Sequence, residues 1–194
     1  MNQPLPMRLL GIVLCGGRSK RMGCDKASLQ HPAGGTYLTH AVHRLEPLCE
    51  QVCLSGQNAA HSNLVTIPDA IASAGPAAGV AAALQFACVN EFDAVLVTPV
   101  DMPSLTTDDL QVLQNEWQRD HHQFVVAQSD TDERLQPLVA IYPIRLSLSI
   151  TTFAQGDDRS LNRWIAANSH VAVPLSQQSC HNVNTPEDLV KRGR

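Results

Sequence analysis

The 194-residue chain carries 14 Lys and Arg against 18 Asp and Glu, a formal net charge of -4, with 44% hydrophobic and 16% charged residues. That balance supports a large core and excludes a disordered chain, and its acidic sign excludes general binding to nucleic acid or to acidic membranes. The length fits one domain over residues 1–194.

The first apolar run, "RLLGIVLC", has no polar face and predicts a strand buried on both sides. It is too short to span a bilayer, and no small-residue cleavage site follows it, so a cytoplasmic protein is expected. "TYLTHAVHRLEPLCE" sets Leu38, Ala41, Val42 and Leu45 at helical spacing, with Pro47 near its end. "QVCLSG" and "LVTIPD" predict short strands, the second ending at Asp69. "GPAAGVAAALQFACV" predicts an alanine-rich helix begun by Gly75 and Pro76. "DAVLVTPVD" is the clearest strand, apolar and β-branched, and leads to Asp101. Thr106 and Asp109 have capping-box spacing and open a helix carrying Leu110, Leu113 and Trp117. "QFVVAQ" and "PLVAIYP" predict two strands separated by "SDTDER". One or two helices between Arg145 and Asn168, a strand in "HVAVPL" and a C-terminal helix opened by Thr185 and Pro186 complete the chain.

Strands alternate with helices over short connections, without repeats or linkers. The pattern predicts a three-layer α/β/α, Rossmann-like fold with a mostly parallel sheet. Ligands in such folds bind outside the carboxyl ends of the strands. The loop after Leu14, the segment around Asp69, and Asp101 all fall at such ends.

The six cysteines include no C-x-x-C pair, and Cys49 and Cys53, four apart, are followed by no second ligand pair. They read as reduced thiols, mostly buried. The eight histidines include no H-E-x-x-H; His40 and His43 share a helix face in surface or packing roles, and His121 and His122 read as loop residues.

The loop "GIVLCGGRSKRMGCDK" concentrates chemistry. Gly16 and Gly17 let the backbone approach an anion, and Arg18, Lys20, Arg21 and Lys26 lie within nine consecutive positions. A nucleoside triphosphate, with about four negative charges, matches that density of cations. The loop is neither a Walker A motif nor G-x-G-x-x-G, so the residues alone give a phosphate loop of some kind, or else a glycine turn beside a solvated basic face.

"LCGGRSKRMGCDKASL" resembles the signature of the nucleotidyltransferases related to molybdenum cofactor guanylyltransferase, through Leu14, Gly16, Gly17, Ser19, Arg21, Met22, Gly23, Asp25 and Lys26. Cys15 stands where that family usually has alanine. The resemblance continues, in order, through "AGPAAG", "VDMPSL", "QPLVAIY" and "NVNTPEDL". It implies a Mg²⁺-dependent enzyme that transfers GMP from GTP to the terminal phosphate of Mo-molybdopterin and releases pyrophosphate. It implies Arg21, Lys26 and Asp101 as catalytic residues, with Asp101 the metal ligand; a turn aspartate before Pro103 is the alternative for that residue. It implies nucleotide binding by Leu14, Cys15, Gly16, Gly17, Lys26, Ser55, Asp69, Gly79 and Asp101, although the family often has asparagine where Ser55 stands. It implies acceptor binding by Asn182, Asn184 and Arg134. Guanine is expected over cytosine because cytidylyltransferase relatives usually carry a methyl where Gly16 stands. A cytidylyltransferase for the same cofactor, a sugar-phosphate nucleotidyltransferase and a non-catalytic nucleotide-binding protein are the alternatives. Molybdoenzymes or other cofactor-assembly proteins are the implied partners. The absence of a heptad pattern leaves a monomer as the expectation.

Overall fold

Leu9, Leu10, Ile12, Val13 and Leu14 have no polar neighbour to expose, and the strand they form, β1 (Leu9–Leu14), is buried from end to end. It lies inside a seven-stranded sheet in the computed structural model, which describes residues 7–15, 26–56, 63–69, 75–158 and 160–183. The other strands are β2 (Gln51–Ser55), β3 (Thr66–Ile67), β4 (Ala94–Pro99), β5 (Val125–Ser129), β6 (Leu135–Pro143) and β7 (Val171–Leu175). Their order is β3-β2-β1-β4-β6-β5-β7. β3, β2, β1 and β4 run parallel, β6 is antiparallel to both its neighbours, and β7 is parallel to β5. This is the mostly parallel α/β sheet that the alternation predicts. β2 and β4 flank β1 on opposite sides, so the chain reverses its winding there, where such folds open a crevice at the strands' carboxyl ends.

The two faces of the sheet sort by the two-residue period of a strand. Leu9 and Val13 of β1, with Ala94 and Leu96 of β4, pack under α1 (Tyr37–His43) and α3 (Thr107–Trp117). Leu10, Ile12, Val95 and Val97 pack under α2 (Pro76–Val89), α4 (Ser147–Gln155) and α5 (Leu161–Ala166). Each fully buried leucine or valine in these layers contributes roughly 1.5–3 kcal/mol. α2 is apolar almost all round because the sheet covers one side and α4 another; Ala77, Ala78, Ala81, Ala83 and Ala87 are all buried. Alanine there lets the helix lie close to the strands.

Capping follows the sequence. Thr106 accepts from the Asp109 N–H at 3.2 Å while Asp109 Oδ2 accepts from the Thr106 N–H at 2.9 Å, which is the predicted capping box. α1 ends at His43, short of the predicted span. Leu45 and Leu48 turn back with three-residue hydrogen bonds because the approach to Pro47 disfavours helical backbone. At Gly11 a Cβ would sit 3.0 Å from Cys49 Sγ and 3.3 Å from Leu45 Cβ, so glycine permits this close approach of the chain after α1 to β1.

Of the one or two helices predicted between Arg145 and Asn168 the chain forms two, α4 and α5, while the predicted C-terminal helix lies outside the described residues. Among the described cysteines Cys15 and Cys53 are buried, Cys49 and Cys180 are partly buried, and Cys88 is exposed on α2, so burial is less complete than expected. His40 packs, stacked on His31 at 3.6 Å, and His43 is exposed. No helix among the described residues is long and apolar enough to cross a membrane.

Candidate active site

Four parallel strands deliver their carboxyl ends to one edge. Leu14 ends β1 and Ser55 ends β2, both buried, and the Cys15 N–H donates to the Ser55 carbonyl at 2.9 Å. Asp69 follows β3 and is exposed, and the Ser55 hydroxyl donates to its Oδ1 at 3.2 Å. Gly79, in the first turn of α2, closes the group. A Cβ there would lie 2.9 Å from Leu14 Cδ2, 2.9 Å from Ser55 Oγ and 3.5 Å from Asp69 Oδ1. Leu14, Ser55, Asp69 and Gly79 are therefore one contiguous floor, and its outward chemistry is a carboxylate.

Asp101 lies just beyond β4, half-buried in the turn that leads to α3. Its carbonyl accepts from the Val183 N–H at 2.8 Å, which seats the 182–183 segment against the β4 end. Asn182 Oδ1 is buried there, without a hydrogen-bond partner among the described residues. Among the described residues no three His, Cys, Asp or Glu side chains gather as a metal cage. One carboxylate and one amide oxygen are hard donors, suited to a small divalent cation that takes its remaining ligands from phosphate and water.

The antiparallel run of β6 brings its first residues to the same edge. Arg134, Gln136 and Asn182 line a cavity of about 270 Å³ with Pro99, Met102 and Asn162. The tight β5–β6 connection is fixed by its own polar groups. The Ser129 hydroxyl and the Arg134 N–H hold the Asp132 carboxyl below its usual range, and Glu133 takes a positive φ of 55°. Arg134 is thus exposed at the rim of the cavity.

Gly16, Gly17, Arg18, Lys20, Arg21 and Asn184 lie outside the described residues, as does the side chain of Lys26, whose backbone begins a short 3-10 turn at Lys26–Ser28. Gln136, Ser160 and Asn162 in the cavity wall are not signalled by the sequence, since no local pattern tells which way β6 runs or which end of the sheet the start of α5 meets. Arg44 is not signalled either, because its neighbours in "VHRLEPL" make it look like an ordinary helix-surface cation.

A doubly wound sheet with a carboxylate after β4, a carboxylate and glycine at the β3–α2 corner, and a polar cavity across the switch point is the architecture of an α/β nucleotide-handling protein. The chain belongs to the MobA-like NTP transferase family: residues 11–173 match the family profile of the MobA-like NTP transferase domain. It is 44% identical to a probable molybdenum cofactor guanylyltransferase of Rhodopirellula baltica, over 97% of this chain and 93% of the relative. It is 30% identical to a molybdenum cofactor guanylyltransferase of Rhodopseudomonas palustris, over 94% of this chain and 91% of that one. In fold it superposes with a TM-score of 0.77 on the molybdopterin-guanine dinucleotide biosynthesis protein A of Archaeoglobus fulgidus, at 21% identity, covering 94% and 95% of the two chains. Membership of this family is consistent with use of a divalent metal.

Proposed function

We propose that this protein transfers GMP from GTP to the terminal phosphate of Mo-molybdopterin, giving the guanine dinucleotide form of the cofactor and pyrophosphate, with Mg²⁺ at Asp101. The observation that carries the base assignment is the Asp69 carboxylate, exposed on the floor built by Leu14, Ser55 and Gly79. An ionised carboxylate only accepts hydrogen bonds. Guanine offers two adjacent donors, N1–H and the 2-amino group, so it can pair with both oxygens. Cytosine and adenine each set one ring acceptor beside one amino donor, and the acceptor would face the carboxylate's charge. The bond from Ser55 orients Asp69 for this contact, and the missing side chain at Gly79 lets Leu14 and Ser55 close against α2 to make the floor beneath the ring.

In the reaction an oxygen of the acceptor's terminal phosphate attacks the α-phosphorus of GTP. One P–O bond forms, the α–β bridging P–O bond breaks, and the electron pair leaves with pyrophosphate. No protein nucleophile is required, so positioning and charge neutralisation are the protein's task. Asp101 and the Asn182 oxygen would hold the metal, and Arg21 and Lys26 would face the phosphates from the glycine loop. When bound, Mg²⁺ neutralises charge that develops on the α-phosphate and on the leaving group. The cavity lined by Arg134, Gln136 and Asn182 would receive the acceptor.

The test is a product assay. The purified protein is incubated with molybdenum-loaded molybdopterin, Mg²⁺ and GTP, CTP, ATP or UTP in turn, and the dinucleotide is identified by mass. A guanine adduct made with GTP alone is expected. A cytosine adduct would overturn the reading of Asp69, and no adduct with any nucleotide would overturn the acceptor. Asp101→Ala is expected to abolish turnover while GTP still binds.

A further inference from the structure

Arg44 follows α1 and is only 5% exposed. Its guanidinium enters no ion pair among the described residues. Nη1 donates to the Met102 carbonyl at 2.7 Å and to the Leu105 carbonyl at 3.3 Å, and Nη2 donates to the Pro99 carbonyl. These three acceptors bracket Asp101 in a single turn. Burial lowers the Arg44 pKa to about 10, against the charges of Asp101 and Asp109, which favour the cation. A buried charge without a salt-bridge partner is expensive, and an apolar side chain of similar volume would pack α1 at lower cost. What the guanidinium supplies that an apolar group cannot is a rigid fork matched to carbonyls pointing different ways.

Two other carbonyls of the turn are held as well. Pro103 O accepts from His31 Nε2 at 3.2 Å; His31 Nδ1 accepts from the Ala33 N–H, which leaves the ring proton on Nε2. Asp101 O accepts from the Val183 N–H. The backbone beneath the Asp101 carboxylate is thus clamped from α1 on one side and from the 182–183 segment on the other, and Arg44 supplies most of the clamp.

We propose that Arg44 is a positioning residue of the transfer reaction: through the Pro99–Leu105 turn it fixes where Asp101 presents its carboxylate to the metal and, through Val183, where Asn182 sits. This rests on the reading of Asp101 as metal ligand given above. The structure puts the guanidinium behind the turn, on its carbonyls, and so it acts through Asp101 and not on substrate.

The test uses Arg44→Met and Arg44→Lys in the full chain. Calorimetry measures binding of α,β-methylene-GTP with and without Mg²⁺, and steady-state rates give kcat and the Mg²⁺ half-saturation. Arg44→Met is expected to bind the analogue without metal as the wild type does, to lose about tenfold of the tightening that Mg²⁺ brings, and to drop roughly 10–100-fold in kcat. Arg44→Lys, which keeps a cationic donor, is expected to recover part of both. A purely structural role would lower the melting temperature and leave the Mg²⁺ response unchanged, and that result overturns the proposal. It is equally overturned if neither variant folds, because Arg44 would then serve the fold itself, or if Arg44→Met fails and Arg44→Lys shows the wild-type Mg²⁺ response. Asp101→Asn run in parallel separates the two readings: wild-type Mg²⁺ dependence in that variant removes the metal assignment, whatever Arg44 does.

Discussion

Gly79→Ala sets two physical effects against each other at one position. Alanine in place of glycine in an exposed helix interior gains about 1 kcal/mol. Here the new methyl would lie 2.9 Å from Leu14 Cδ2 and 2.9 Å from Ser55 Oγ, distances that real Cβ atoms do not keep. Leu14 has little room to yield, since it is 7% exposed at the end of a central strand. Overpacking of this kind costs about 1–3 kcal/mol, so the net change in stability is a loss of about 0–2 kcal/mol. The cheapest relief is rotation of the Ser55 hydroxyl, and that breaks its bond to Asp69. A hydrogen bond to a charged group is worth about 1.5–3 kcal/mol, which sets GTP affinity about 10–100-fold lower. Thermal melting and calorimetric titration with GTP read the two quantities separately. A variant that melts above the wild type and binds GTP with unchanged affinity would refute the reasoning, because the helix-propensity gain would then be the whole effect and the floor would have no part in binding.

Asp69→Asn replaces an acceptor with a group that also donates, so GTP affinity should fall about 10–100-fold; xanthosine triphosphate, which carries a carbonyl in place of the 2-amino group, should bind better to the variant than to the wild type in competition titrations. Burial pushes the Cys49 thiol from 9.0 up to about 12, so the folded state holds its proton where the unfolded state loses it. That contribution is complete below pH 9 and lost as pH rises toward 12; denaturant melts at pH 8 and pH 10 should lose about 1.4 kcal/mol more in the wild type than in Cys49→Ala. Thr106→Ala removes the α3 cap and should cost about 1 kcal/mol, or about 2–4 °C in the melting temperature, with GTP binding unchanged. Asn182→Ala removes a buried oxygen that has no partner among the described residues; stability should hold or rise by up to about 1 kcal/mol while the Mg²⁺ half-saturation and the KM for the acceptor both rise, a split that a stability screen with Mg²⁺ and acceptor titrations would detect.

The sheet was legible because burial on both faces leaves a strand no polar face. β1 and β4 read as unbroken apolar runs, and both lie in the middle of the sheet. The grouping of Leu14, Ser55, Asp69 and Gly79 at one edge was legible for a different reason. Ser55 ends a strand, Asp69 closely follows one and Gly79 lies in the first turn of a helix, so their positions along the chain already place them at one edge. The cavity beside it was less legible. "PLVAIYP" is as apolar as the parallel strands, yet β6 runs the other way, and only its direction carries Arg134 and Gln136 to the site. Strand direction is set by pairing between distant residues, which no local pattern records. Arg44 was illegible for the same reason: its meaning comes from carbonyls more than fifty residues away.

The division of the sheet bears on how the proposed reaction is aligned. The β3-β2-β1 half with α2 builds the floor around Asp69, while β6 and the 182–183 segment build the cavity proposed for the acceptor. β4 lies between β1 and β6, so Asp101 emerges where the two halves meet. In-line transfer needs the attacking oxygen, the α-phosphorus and the leaving oxygen in one line, and an error of about 1 Å costs on the order of a hundredfold in rate. A reacting centre shared by two halves is exposed to any shear between them. Turn backbone is ordinarily the softest part of such a fold, and here it carries the carboxylate at the seam. Bonds from α1, from His31 and from Val183 to the carbonyls of that one turn remove the softness where alignment is decided, and the buried charge of Arg44 is explained by that requirement rather than by stability.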